Sequence, residues 1–84
     1  MFKNMDLVKY ELLGFMGTED YVRYLICKQD LEWCYTDDYE QISYTEYYTD
    51  EVFRFIGTDI EARISICHNP KENSAEICSV EFDM

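Results

Sequence analysis

The sequence predicts an α+β fold, mainly antiparallel β: a duplicated three-stranded β-meander (β-β-β-α-β-β-β) with one connecting helix near 38–48. Three observations lead there. The chain repeats itself, since residues 11–28 read ELLGFMGTEDYVRYLICK and residues 51–68 read EVFRFIGTDIEARISICH. At a constant offset of 40, Glu11/Glu51, Phe15/Phe55, Gly17/Gly57, Thr18/Thr58, Arg23/Arg63, Ile26/Ile66 and Cys27/Cys67 are identical. A period of this size marks one supersecondary unit used twice. Each copy also carries a hairpin signal, an apolar run, a Gly-Thr-acid turn and a second apolar run. Between the copies lies TDDYEQISYTEYYTDE, whose composition differs from both.

Within each unit the first two strands flank the turn. A four-residue loop at Gly17–Asp20 sets Phe15 opposite Val22 and Leu13 opposite Tyr24; the second copy sets Phe55 opposite Ala62 and Phe53 opposite Ile64. All eight share one face, as a period of two requires. Phe15, Phe55, Leu13, Phe53, Ile26 and Ile66 are therefore expected in one buried layer. A helix over 18–29, capped by Thr18, competes in the first copy, because Val22, Leu25, Ile26 and Gln29 also have helical spacing. The second copy weakens it: Ala62, Ser65, Ile66 and Asn69 make a poor helical stripe. A third strand follows near 32–36 and near 76–82, after a tight turn at Asp30-Leu31 and a polar loop at Asn69–Ser74 respectively. In the connecting segment, Asp37 followed by Glu40 resembles a capping box. Tyr44, Tyr47 and Tyr48 then fall on one helical face; a Tyr-rich edge strand is the alternative. Residues 1–84 read as a single small domain of two repeats, about 6–36 and 46–82.

Charge is the strongest constraint on function. Eighteen acidic against seven basic residues leave a formal charge of −11. That balance argues against direct binding of nucleic acid or an anionic membrane, both of which need clustered Lys and Arg. No apolar run approaches the roughly 18 residues of a membrane span. The start, MFKNMDLVKYELLGF, lacks the apolar core of a signal peptide, so a cytoplasmic location is expected.

Catalytic and metal chemistry find little support. His68 is the sole histidine, and as a strand neighbour of Cys67 it points to the other face, away from that thiol. The serines lack a nucleophile-elbow context, and no phosphate-binding Gly-rich loop is present. Asp37-Asp38-Tyr39-Glu40 lacks the frame of an EF-hand. Reflection through the two turns opposes Cys27 to Cys34 and Cys67 to Cys78. Packed thiols are the default for both pairs, cross-strand disulfides come second, and the C-x6-C and C-x10-C spacings disfavour zinc. No enzyme activity, cofactor or metal is expected.

The expected partner site is the acidic, tyrosine-rich segment: Asp37, Asp38, Glu40, Tyr44, Glu46, Tyr47, Tyr48, Asp50 and Glu51. It holds six carboxylates without a Lys or Arg, and tyrosine supplies the rigid amphipathic area that interfaces use. The competing reading is a solvated acidic face with its tyrosines turned into the core. A basic protein surface is the natural partner, above all that of a nucleic-acid-binding protein or a nuclease. In size and charge the chain resembles the small acidic inhibitors of phages and mobile elements, DNA mimics and anti-CRISPR proteins included, though no family motif matches residue by residue. Two alternatives are an immunity protein for a basic nuclease toxin and a homo-oligomer formed through the third strands.

Overall fold

The computed structural model describes residues 5–83; residues 1–4 and 84, the ends of the expected 1–84 domain, lie outside the described residues. Helix α1 covers Met5–Leu12, strand β1 is the short Met16–Gly17, and helix α2 covers Glu19–Cys27. Four long strands follow: β2 (Leu31–Gln41), β3 (Tyr47–Phe55), β4 (Glu61–Asn69) and β5 (Ser74–Asp83). All pairings are antiparallel, in the order β1-β5-β4-β3-β2. The α+β class with a mainly antiparallel sheet is as the sequence predicts.

The duplication is not realised as two meanders. Residues 51–82 form the expected hairpin and third strand, but 11–12 and 19–27 are helical. In α1 the pair Val8 and Leu12 is buried at helical spacing, and Asp6 and Lys9 suit its two dipole ends. Gly14, at φ +81, makes the turn out of α1, and its N–H donates to the Ile77 carbonyl. Thr18 caps α2, its hydroxyl accepting from the Tyr21 N–H at 3.2 Å, with Glu19 and Asp20 in the first turn. Val22 and Ile26 are the buried face of α2. Replacing Thr18 with alanine is expected to lower stability by about 0.5–2 kcal/mol, measured by urea unfolding. Thr58, its partner in the repeat, caps no helix: its N–H and hydroxyl both donate to the Phe55 carbonyl inside the β3–β4 turn.

The helix expected near 38–48 is also absent. Residues 38–41 extend β2, 47–48 open β3, and the turn between them is closed by the Ile42 and Ser43 N–H groups on the Glu46 carbonyl. A run of Tyr and Thr fits a pleated surface, and pairing with β3 satisfies its backbone better than a single capping box does. The β3–β4 hairpin differs in register from expectation, with Phe53 opposite Ala62 and Glu51 opposite Ile64. The slip is two residues, so every side chain keeps its face.

Both helices lie on one face of the sheet, α1 against β5 and α2 spanning from β5 to β2. The core between the layers joins Val8, Leu12, Val22, Ile26, Leu31, Phe53, Phe55, Ala62, Ile64, Ile66, Ala75, Ile77 and Val80. Phe53, Phe55, Ile26 and Ile66 are buried as expected, and Phe15 packs at the margin; Leu13 is instead 46% exposed, because α1 ends before it. Beyond the helices the β2–β3 hairpin projects outward, in a molecule 42 Å long and 21 Å wide.

Candidate functional site: an uncovered acidic sheet face

Directly paired residues of a sheet share a face. The ladders place four rows on the face turned away from the helices. They are Glu32, Arg54, Glu61 and Asp83; Tyr35, Val52, Arg63 and Glu81; Asp38, Asp50, Ser65 and Ser79; and Glu40, Tyr48, Cys67 and Glu76. Eight of these sixteen side chains are carboxylates and two are arginines. Asp38 faces Asp50 directly, and Glu61 faces Asp83, pairings that like charges disfavour. Arg63 partly compensates, pairing with Asp37 and lying 3.5 Å from Asp50 Oδ2. Tyr48 donates its hydroxyl to Ser65 at 2.9 Å, and Ser65 donates to Asp50 at 2.6 Å. An open groove of about 570 Å³ lies near the hairpin end, lined by Asp38, Glu40, Gln41, Ile42 and Tyr48.

The nine residues singled out from sequence therefore separate. Asp38, Glu40, Tyr48 and Asp50 share this face, and Asp37 is the extra residue of a β-bulge that reaches Arg63. Tyr44 is fully exposed at the hairpin tip, and Glu46 anchors the turn through its carbonyl. Tyr47 and Glu51 belong to the opposite face. Tyr47 stacks on His68, with ring centroids 4.5 Å apart, and Glu51 is buried.

Glu51 belongs to a polar chain that sequence reasoning misses, running Glu19–His68–Thr49–Glu51–Arg23. Arg23 on α2 donates to it from both terminal guanidinium nitrogens, at 2.7 and 3.1 Å. Thr49 donates its hydroxyl to Glu51 at 2.8 Å and lies 2.7 Å from His68 Nε2; His68 Nδ1 lies 2.5 Å from Glu19 Oε1. Burial alone would push the Glu51 carboxyl up, but hydrogen bonds from Arg23 and Thr49, with the charges of Arg23 and His68, hold it below its ordinary value. Burial and the nearby Glu19 charge push the Tyr47 phenol up. Glu19, His68 and Thr49 stand in the order acid, imidazole, hydroxyl. Thr49 is buried, however, and its proton is directed to Glu51, so the chain ties α2 to the sheet rather than presenting a nucleophile. Two sequence signals point to it, the matched arginine Arg23 and the lone histidine His68.

Among the described residues, no cluster of three or more His, Cys, Asp or Glu side chains is placed to hold a metal, and no helix is long and apolar enough to cross a membrane. Compared with protein-family models, curated proteins and solved structures, the chain matches none.

Proposed function

We propose that this chain is a non-enzymatic binding module that lays its acidic sheet face and projecting hairpin on the basic, phosphate-binding surface of a nucleic-acid-binding protein, nuclease toxins included. The supporting observation is the arrangement of charge. Solubility needs net charge anywhere on a surface, whereas here like charges stand directly opposite one another on the uncovered face, as Asp38 does with Asp50. A strand spacing of about 4.8 Å and a same-face repeat of about 6.7 Å give roughly 32 Å² per outward residue. The sixteen residues then cover about 500 Å², short of the roughly 800 Å² that each partner buries in a standard interface. The hairpin tip supplies the remainder. Tyr44 is fully exposed at the hairpin tip, and the groove lined by Asp38 and Glu40 suits an Arg or Lys side chain.

Pull-down from the source cell at low and moderate salt, with partners identified by mass, is the direct test. Binding should weaken with salt as the screening length falls toward about 8 Å, and duplex DNA should compete for the captured partner. Changing Asp38→Asn, Glu40→Gln and Glu76→Gln together should slow association about tenfold at low salt, because exposed charges mainly set the on-rate. Tyr44→Ala should raise the dissociation rate instead. A partner indifferent to salt, to competing DNA and to the triple change would sink this reading.

A further inference from the structure

We propose that Cys67 and Cys78 form a redox-active dithiol on the open sheet face, one that closes to an intramolecular disulfide on meeting a small-molecule disulfide oxidant. The ladder between β4 and β5 jumps from Ser65–Ser79 to Ile66–Ile77, leaving Cys78 as the extra residue of a β-bulge. The bulge turns Cys78 toward Cys67, whose own ladder partner is Glu76, and the two sulfurs stand 2.9 Å apart. A disulfide bond is about 2.0 Å long, so closure needs less than about 1 Å of sulfur movement.

Burial does not explain the pair, because Cys78 is exposed and Cys67 is only half-buried. The other two cysteines lack this arrangement. Cys27 ends α2, so reflection through the Asp30-Leu31 turn no longer opposes it to Cys34. Cys34, itself a bulge residue of β2, makes only a 3.8 Å contact with the Glu32 carbonyl.

Exposure assigns the order of events, since Cys78 is exposed and Cys67 half-buried. Burial first, then hydrogen bonding and charge from Cys78, then Glu76 and Glu46, push the Cys67 thiol up to about 12, so it keeps its proton at neutral pH. Cys78, the more accessible sulfur, meets the oxidant and attacks first. It loses its proton to water, and its thiolate attacks one sulfur of oxidised glutathione. The glutathione S–S bond breaks, one glutathione leaves and takes a proton, and Cys78 is left in a mixed disulfide. Cys67 then gives up its proton as its sulfur attacks Cys78, and the second glutathione leaves as a thiol. Two protein thiols are oxidised to one disulfide, and one small disulfide is reduced to two thiols. Each step runs through a thiolate, so closure accelerates with pH.

Cys67 lies on the face proposed to dock, so the chemistry is read on the free chain, where its outcome is separate from partner binding. The test is to treat the reduced, folded chain with excess oxidised glutathione, quench with acid, alkylate in denaturant and map the peptides. A Cys67–Cys78 linked peptide is expected, with Cys27 and Cys34 recovered alkylated or as mixed disulfides, and with the link forming faster at higher pH. Cys27→Ser should leave the link intact, and Cys78→Ser should leave Cys67 without an intramolecular partner. Recovery of Cys67 and Cys78 as alkylated thiols, or only as mixed disulfides, would overturn the proposal. So would a link that forms only after the chain is unfolded.

Discussion

Replacing Phe53 with alanine will lower stability by about 3–5 kcal/mol, the range for removing a buried aromatic from a core that refills only in part. Phe53 is 1% exposed and sits between Trp33 on β2 and Ala62 on β4. A chain of 84 residues has a small margin, since native domains are stable by only about 5–15 kcal/mol. Urea unfolding at neutral pH should therefore show a large fall in midpoint with little change in slope. Leu13 is the internal control, because the offset of 40 aligns it with Phe53. It is 46% exposed, and Leu13→Ala should fall within about 1 kcal/mol of the parent. Equal losses at the two positions would mean that they share an environment, as two equivalent hairpins require, and would contradict this fold.

The contrast between these two positions shows how much of the architecture is legible in the sequence. The alternation of Ala62, Ile64, Ile66 and His68 in β4 is a two-residue period and reads directly as a strand. The spacing of Val22 and Ile26 is helical and equally readable, but the strand pattern of the second copy masks it. Gly-Thr-acid is ambiguous chemistry: a threonine hydroxyl serves a helix N-terminus at Thr18 and a turn at Thr58 with equal ease. The residues after the threonine decide between them, and Tyr-Val-Arg-Tyr-Leu-Ile has the wrong period for a half-buried strand. The acidic segment is legible as charge but not as a place. A stretch cannot report that Asp38 and Glu40 share a face with Glu76 and Glu81, since that depends on strands distant in sequence. The inward turn of Glu51 is half-legible. Its alternation with Phe53 and Phe55 puts it on the core face, a signal outweighed by the expectation that a carboxylate belongs in water.

Burial of Glu51 carries the second large effect. Arg23→Met keeps the aliphatic stem over the sheet and removes the charge, leaving a carboxylate that is 2% exposed without its fork. Breaking a fully buried ion pair costs about 3–5 kcal/mol; Arg23 is 43% exposed, so a loss of about 2–4 kcal/mol is expected. The pH dependence separates this mechanism from lost packing. In the parent chain Glu51 is held below its ordinary value near 4.5, so its stabilisation is complete above that value and is lost as pH falls through the lower folded value. In Arg23→Met, burial is opposed only by the Thr49 hydrogen bond and the His68 charge, so the Glu51 carboxyl moves up from its position in the parent. Less of the variant's stability then depends on the ionised carboxylate, so less is lost as pH falls. The gap between parent and variant should therefore narrow on acidification, and Arg23→Met combined with Glu51→Gln should recover part of the loss at neutral pH. Urea midpoints measured from neutral pH down to the carboxylate range read both effects. Parallel pH profiles for parent and variant would show that any loss in Arg23→Met does not come from the Glu51 charge.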